Sequence, residues 1–297
     1  MPWSRVISGI VAIALALVML TLGGWYFTLG FGVIVYLGQL EYFQLVRAKG
    51  IEPAGKTTLA VSQALLITAA LAPPLVDAMF ALAGTLICFY LLFQPKLSTI
   101  ADIAASILGL FYGGYLPSYW IRLRVGFDAF PPPGTTAIAD PLSLQGDWPV
   151  SWHLSYPLTQ GLTVTLLAFG CIWAADIGAY IVGKFFGRTR LSDISPKKTV
   201  EGAVFGVLGS IGVAIAGAWF LRWPGFPWTG VALGSIIGIA SLLGDLTESM
   251  MKRDAGVKDS GQLIPGHGGI LDRADSYVFT APLVYYFVTL ILPWLAK

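Results

Sequence analysis

Long apolar stretches recur along almost the whole of this 297-residue chain, and each is long enough to cross a membrane. A membrane-spanning helix needs about 17 to 25 apolar residues. A chain that is 56% hydrophobic and 11% charged could not hide so much apolar surface as a soluble protein. The sequence therefore predicts an all-α fold, a polytopic integral membrane helical bundle of about nine transmembrane helices. The expected spans are 6–23, 25–46, 58–73, 75–94, 101–121, 159–183, 202–221, 229–250 and 276–294.

The lysines and arginines favour one orientation of this bundle. With a cytoplasmic N-terminus, all but four of the 18 basic residues fall on the cytoplasmic side, the exceptions being Arg122, Arg124, Arg222 and Lys297. Cytoplasmic loops carry an excess of lysine and arginine, so we expect this orientation. The formal net charge is only +2, which argues against a nucleic-acid partner.

Three regions are expected along the chain. Residues 1–122 are predicted to form an N-terminal transmembrane bundle of about five spans. Residues 123–157, rich in proline and glycine, are predicted to form an extracytoplasmic loop. Residues 158–297 are predicted to form a C-terminal catalytic transmembrane region of about four spans. All three clusters of polar residues described next lie in this last region, and ionisable residues at membrane depth are functional candidates because they are costly to place there.

The first polar cluster is WAADIGAYIVGKFFGRTRLSDISPKKTVEG, residues 173–202. Asp176 lies within the inner part of the sixth span. The segment before the seventh span carries polar and basic side chains, namely Ser195, Lys197, Lys198 and Thr199. Cations beside the positive end of a helix suit a phosphate chain. The spacing fits equally well with lysines that only determine membrane topology.

The second cluster, GDLTESMMKRDAGVKDSG at 244–261, ends the eighth span. On a continuing helix, Asp245, Glu248, Ser249 and Lys252 fall along one face. Two carboxylates followed by cations suit a divalent metal together with a polyphosphate, because magnesium prefers hard oxygen ligands. The alternative is a solvated helix end with ion pairs four residues apart. Asp245 argues against it, because this residue directly follows the apolar run GIASLLG.

The third cluster, GHGGILDRADS at 266–276, precedes the final span. Its glycines disfavour a regular helix, so we expect a bent loop that returns to the membrane. Such a loop could bring Asp272 to the same cation as Asp245. Asp272 and Asp275 would share a face once the last helix begins. His267 could act as a general base, donate to a phosphate or tether the loop.

Other familiar catalytic patterns do not occur in the sequence. There is no Walker phosphate-binding loop, no Ser-His-Asp nucleophile elbow and no zinc-type cluster of cysteine and histidine. The residues alone therefore predict metal-assisted phosphoryl chemistry at a cytoplasmic membrane surface, with the substrate open. The alternatives are another magnesium-dependent lipid-phosphate phosphotransferase and a cation-coupled membrane transporter. The transporter would show repeat symmetry, which is not visible in the sequence, and functional charges on both faces of the membrane, whereas the three polar clusters gather on one face.

The stretch SMMKRDAGVKDSGQLIPGHGGILDRAD, from Ser249 to Asp275, closely resembles the signature of the phosphatidate cytidylyltransferases, also called CDP-diacylglycerol synthases. The one departure is Ala274, where the family prefers a larger apolar residue or threonine. The upstream stretches GDLTES, SPKKTVEG and AADIGAY also look like family elements. The resemblance covers roughly residues 170 to 295, and the first 160 residues match only as a bundle of spans.

This resemblance implies a reaction in which CTP and phosphatidic acid give CDP-diacylglycerol and pyrophosphate, in phospholipid biosynthesis. It implies magnesium held by Asp245 and Asp272, with Asp275 or Glu248 as further ligands, and potassium as a second cation. It also implies a homodimer in a bacterial-type inner (plasma) membrane, with the active site facing the cytoplasm.

Catalytic roles are expected for Asp245, Asp272, Lys252, Arg273 and His267, the last in positioning or phosphate binding. Lysines and arginines are expected to grip the phosphates of CTP or of the lipid: Lys197, Lys198, Lys252, Arg253, Lys258 and Arg273. The remaining candidates for substrate binding are Asp176, Ser195, Thr199, Glu201, Ser249, Asp259, Gly268, Gly269 and Ser276.

Overall fold

The structure, a computed structural model, describes residues 2–126, 159–264 and 268–295. Within these ranges the chain is helical and contains isolated bridges but no β-strand. Each expected span corresponds to one helical segment. The segments are α1 (Pro2–Leu22), α2 (Gly24–Ala48), α3 (Gly55–Leu71), α4 (Pro73–Leu92), α5 (Ile100–Gly126), α6 (Gln160–Phe186), α7 (Val200–Phe220), α8 (Trp228–Asp254) and α9 (Leu271–Leu295).

Seven of these helices are long and apolar enough to cross a membrane, namely α2 and α4 to α9. Helix α3 and the apolar part of α1, Ile7–Leu22, are shorter. Large apolar side chains such as Leu82, Phe89 and Trp219 are exposed on the outside of the bundle, where lipid would cover them. The prediction of a polytopic all-α membrane protein is therefore confirmed, and the count of nine spans is approximate.

The loops predicted to share one side of the membrane lie together at one end of the bundle. Lys49 Nζ at the end of α2 is 3.1 Å from Asp254 Oδ1 at the end of α8. Lys96, which precedes α5, is 2.8 Å from Glu52, which precedes α3. At the opposite end, Arg124 Nε donates to the carbonyl of Leu20 at 2.7 Å. The helices therefore alternate in direction as the charge pattern predicts.

Helices α6, α7 and α8 pack through glycines that bring their backbones into contact. A Cβ atom on Gly206 of α7 would lie only 2.7 Å from the carbonyl oxygen of Ala175 on α6. On α8, a Cβ on Gly238 would lie 2.9 Å from the Cα of Val207. Small residues allow such close approach between membrane helices, where apolar burial adds little driving force. This packing fixes Asp176 of α6 beside the inner end of α8.

Helix α9 joins the two halves of the chain. Its first turns contribute Leu271 and Val278 to an apolar cluster with Tyr42 of α2 and Tyr112 of α5. The N-terminal and C-terminal regions therefore share a core. The boundary expected at residue 122 falls inside α5, which runs to Gly126. The rest of the expected loop, 127–157, lies outside the described residues.

The glycine contact between α6 and α7 can be tested with two substitutions on one helix. We expect Gly206→Val to lower the midpoint of thermal unfolding, because overpacking of a tight contact costs about 1–3 kcal/mol. Gly212→Val introduces the same side chain on α7 where nothing lies within 4 Å, so its midpoint should stay near that of the wild type. Thermal unfolding in detergent measures both, and equal midpoints would contradict the close packing.

Candidate active site

The last helix begins before the expected residue 276, because a carboxylate holds its first turn. Asp272 Oδ2 accepts a hydrogen bond from the backbone N–H of Gly269 at 2.8 Å, and negative groups stabilise the N-terminus of a helix. Gly268 has a φ of 84°, which favours glycine. The predicted bend is thus confirmed at residues 268–270, and its effect is to place Asp272 and Asp275 on the first turns of α9.

Three carboxylates converge where α8 meets α9. Asp245, Glu248 and Asp275 each offer one oxygen atom, and these atoms all lie within 4.8 Å of one another. The carbonyl of Asp275 packs directly against Gly244 of α8, which leaves no space there for a side chain. This contact explains how residues about 30 positions apart in the sequence come to share one site.

A fourth carboxylate, that of Asp176 on α6, lies beside this group. Its Oδ1 is 3.3 Å from the hydroxyl of Ser241 on α8 and 3.5 Å from the hydroxyl of Ser276 on α9. Both hydroxyls donate to the carboxylate. Asp176 and Ser276, two predicted substrate-binding residues, therefore meet at the junction of three helices.

Two lysines face this acidic region. Lys198 forms an ion pair with Asp245, and the buried Lys252 pairs with both Glu248 and Asp272. Two ammonium groups therefore lie among five carboxylates. These carboxylates belong to Asp176, Asp245, Glu248, Asp272 and Asp275. An excess of buried negative charge is costly without further cations. The donor set, all carboxylate oxygen, fits a hard divalent cation.

Asp272 lies beside Glu248 of this group and also binds the turn before α9. Besides the N–H of Gly269 and the ammonium of Lys252, its carboxylate accepts from the backbone N–H of Ser260 at 3.0 Å. The hydroxyl of Ser260 lies 3.1 Å from the same oxygen, so four donor groups surround this carboxylate and hold the turn in place. The structure therefore brings Asp245 together with Glu248 and Asp275, which were predicted as further ligands, and places Asp272 next to Glu248, where it also bonds to the turn before α9.

A large cavity of about 1470 Å³ opens onto the acidic group. Its polar end is lined by predicted site residues: Asp176, Ser195, Lys197, Lys198, Thr199, Asp245, Lys252, Asp259, Asp272, Arg273, Asp275 and Ser276. Its other walls are apolar and come largely from α1 and α2, with Leu15, Met19, Phe27, Phe31 and Val35 among them. One cavity therefore offers both a charged and an apolar environment.

The loop between α6 and α7 folds back so that Lys198 can reach Asp245. The backbone N–H of Leu191 donates to the carbonyl of Lys198 at 2.9 Å. Thr199 caps α7 by accepting from the N–H of Gly202 at 3.1 Å. Glu201 accepts from the N–H of Thr189 at 3.1 Å and so anchors this loop. Glu201 was expected to bind substrate, whereas the structure shows it in this anchoring contact and outside the cavity lining.

Several other predicted residues also lie away from the cavity wall. Arg253 is exposed and donates to the carbonyl of Val257 at 3.0 Å, and Lys258 is exposed beyond the end of α8. The hydroxyl of Ser249 donates to Asp245 Oδ1 at 3.4 Å, behind the carboxylate group. Gly268 and Gly269 form the turn before α9. His267 lies outside the described residues.

Sequence reading missed two residues of the N-terminal region that reach this site. Glu41 of α2 is buried and contacts the turn before α9. Tyr112 of α5 lines the cavity, and its buried hydroxyl has no hydrogen-bond partner among the described residues. It lies in a π-helical segment, Phe111–Tyr115, a distortion frequent at functional sites. The signal for Glu41 was available, since it is an ionisable residue inside an apolar run.

These features define a polytopic helical membrane protein with a carboxylate and lysine cluster at the polar end of a large cavity. Residues 3–291 match the Cytidylyltransferase family. The match extends over nearly the whole chain, so the chain belongs to that family.

Named relatives agree with this assignment. The chain is 66% identical over 293 residues to a phosphatidate cytidylyltransferase of Synechocystis sp., covering 99% of this chain and 98% of the relative. It is 43% identical to phosphatidate cytidylyltransferase 4, chloroplastic, of Arabidopsis thaliana, covering 96% of this chain and 72% of the relative. A phosphatidate cytidylyltransferase of Staphylococcus aureus is 44% identical over 127 residues, 42% of this chain and 49% of the relative.

The ion pairs of Lys252 predict a large loss of stability when its charge is removed. We expect Lys252→Met to destabilise the fold by about 3–5 kcal/mol, the cost of leaving buried partners such as Glu248 without a counter-charge. Arg253→Met, at the neighbouring exposed position, should change stability little. Thermal unfolding of the two variants measures the difference. A Lys252→Met protein as stable as Arg253→Met would show that the ion pairs carry no net stabilisation.

Proposed function

We propose that this chain transfers the cytidylyl group of CTP to phosphatidic acid, giving CDP-diacylglycerol and pyrophosphate. The observation that carries the proposal is the single cavity in which the carboxylates and lysines of α6 to α9 adjoin apolar walls from α1 and α2. A substrate with a phosphate head and two acyl chains needs both environments. The names of the relatives in Synechocystis sp. and Arabidopsis thaliana support the same reaction.

The chemistry requires two anions to be brought together. An oxygen of the lipid phosphate attacks the α-phosphorus of CTP, the new P–O bond forms, and the bond to the leaving pyrophosphate breaks. The nucleophile is already an anion, so no dedicated base is needed. The protein contributes positioning and neutralisation of charge. Lys197, Lys198 and Arg273 line the polar end of the cavity and are the groups assigned to grip phosphates there.

The carboxylates of Asp245, Glu248 and Asp275 are assigned as ligands of magnesium, which the arrangement of their oxygens supports. When bound, a divalent cation supplies Lewis-acid neutralisation of phosphate charge. Asp176 is assigned to the edge of the same site. Lys198 pairs with Asp245 before substrate arrives, and phosphate oxygens offer this ammonium an alternative partner. On the basis of the family resemblance, the proposal also includes potassium as a second cation. It includes a homodimer on the same basis.

We assign the chemistry to residues 158–297 and the apolar wall to the N-terminal region. In this proposal the site lies on the cytoplasmic face of a bacterial-type inner membrane. CTP then arrives from water, and phosphatidic acid arrives from the adjoining leaflet. The clustering of the basic loops at one end of the bundle supports that orientation.

The reaction is tested with purified protein in detergent, phosphatidic acid, labelled CTP and magnesium. We expect labelled CDP-lipid and pyrophosphate from the wild type. Asp245→Asn and Asp275→Asn should lower turnover by at least about 100-fold, since losing even an outer partner of a bound metal costs about 10- to 100-fold. Asp272→Asn should also lose activity, because it weakens the turn before α9. The same assay is run in a potassium buffer and in a sodium buffer, and a lower rate in sodium would support potassium as the second cation.

Asp254→Asn is the matched control, because the side chain of Asp254 is exposed and pairs with Lys49 at the bundle end. It should turn over at the wild-type rate. Failure of the wild type to make CDP-lipid with any phosphatidic acid would overturn the reaction in favour of another lipid-phosphate transfer. Full activity of Asp245→Asn or Asp275→Asn would move the metal to other ligands.

The orientation is tested by labelling single cysteines with a membrane-impermeant maleimide in intact cells. The starting protein has Cys88 and Cys171 replaced by serine. A cysteine at Asp193, in the exposed loop before α7, should label only after the membrane is opened. A cysteine at Trp228, exposed at the opposite end of the bundle, should label in intact cells. The reverse pattern would contradict a cytoplasmic active site.

A further inference from the structure

Glu41 is a carboxylate buried in an apolar part of α2, and only 6% of its surface is exposed. Its neighbours Tyr42 and Phe43 belong to the apolar cluster that joins α2 to α9. A buried carboxylate is costly unless its oxygens are satisfied. Its position in the core therefore calls for specific partners.

Those partners lie more than 200 residues further along the chain. Glu41 Oε1 accepts a hydrogen bond from the backbone N–H of Ile270 at 3.0 Å. Oε2 accepts from the N–H of Leu271 at 2.9 Å and from the hydroxyl of Ser260 at 2.8 Å. Ile270 and Leu271 are the residues at which α9 begins. A carboxylate of α2 thus satisfies backbone donors at the helix start that would otherwise lack partners.

Ser260 connects this carboxylate to the predicted site. Its hydroxyl lies 3.1 Å from Asp272 Oδ2 as well as within hydrogen-bond distance of Glu41, and its backbone N–H donates to the same Asp272 oxygen at 3.0 Å. Asp272 in turn pairs with Lys252. A continuous polar chain therefore runs from α2 to α8 through the turn before α9.

Two glycines of the C-terminal signature are matched to the position of Glu41. A Cβ atom on Gly261 would lie 2.5 Å from Glu41 Oε1, and the three atoms nearest to it all belong to Glu41. A Cβ on Gly269 would collide with Glu41 Oε2 and with the Ser260 hydroxyl. The glutamate thus occupies the space that a side chain at either glycine would need.

We propose that Glu41 is a positioning residue for the reaction: it holds the turn before α9 so that Asp275 faces Asp245 and Glu248. Asp275 lies one helical turn beyond the residues that Glu41 binds, and its carbonyl is packed against α8. A misplacement of about 1 Å in an active site can cost about 100-fold in rate. The catalytic part of this inference rests on the proposed function, whereas the structural part does not.

The test is Glu41→Gln, which keeps the shape of the side chain and replaces one accepting oxygen by an amide that cannot accept. We expect faster hydrogen exchange in peptides covering residues 268–278, with peptides of α7 unchanged. Binding of Mn²⁺ in the absence of substrates should weaken by about 10-fold or more, as for loss of an outer partner of a metal ligand. The value of kcat should fall by about 10- to 100-fold while KM for CTP changes little.

Glu52→Gln is the matched control. Glu52 also lies in the N-terminal half, but its side chain is 65% exposed and pairs with Lys96 on the surface. All three measurements should equal those of the wild type. If Glu41→Gln leaves exchange at 268–278 unchanged, or speeds it without altering Mn²⁺ binding and kcat, the positioning role is overturned.

A second pair of variants covers the case in which Glu41→Gln does not fold. Gly261→Ala alone should lower activity, because its Cβ atom collides with Glu41. Adding Glu41→Asp to Gly261→Ala should restore part of the lost activity, because the shorter side chain withdraws the carboxylate. Contacting residues show such non-additive effects. Strictly additive losses would contradict the contact.

A wild type that binds Mn²⁺ but makes no CDP-lipid would overturn the proposed reaction, and the exchange and Mn²⁺ results would still decide the role of Glu41.

Discussion

Mutual repulsion among the carboxylates at the junction of α8 and α9 is the constraint on which the rest of this structure depends. Asp245, Glu248 and Asp275 offer oxygens within 4.8 Å of one another. Two like charges 4 Å apart cost about 4 kcal/mol at an effective dielectric constant of about 20. Lys198 and Lys252 compensate this charge only in part, and the remainder suits a cation. Packing and hydrogen bonds elsewhere in the structure help to hold the group together.

Two kinds of interaction supply this support. Close backbone contact through glycines fixes α6, α7 and α8 relative to one another, and so fixes Asp176 and Asp245. Hydrogen bonds fix the other side, where Glu41 and Asp272 hold the turn from which α9 starts. Asp275 lies between them, with its carbonyl packed against Gly244 of α8 and its helix starting at this turn.

The N-terminal helices take part in the site more directly than a scaffold would. Apolar residues of α1 and α2 line the cavity whose polar end holds the carboxylates. Tyr112 of α5 lines this cavity, and Glu41 of α2 contacts the turn before α9. A substrate with acyl chains and a phosphate head would contact both halves of the chain, which also share a core.

The sequence by itself determined the class of fold, the approximate limits of the helical segments within the described residues, and the stretches that carry chemistry. These follow from local features, namely apolar length, charge bias and a contiguous signature. Only the tertiary structure decided that Asp275 and Glu248 lie close to Asp245, that Asp272 bonds to the turn before α9, and that Glu41 bonds to the first residues of that helix. Those assignments depend on contacts between residues up to 230 positions apart, and no local pattern specifies which of several nearby carboxylates will meet in space.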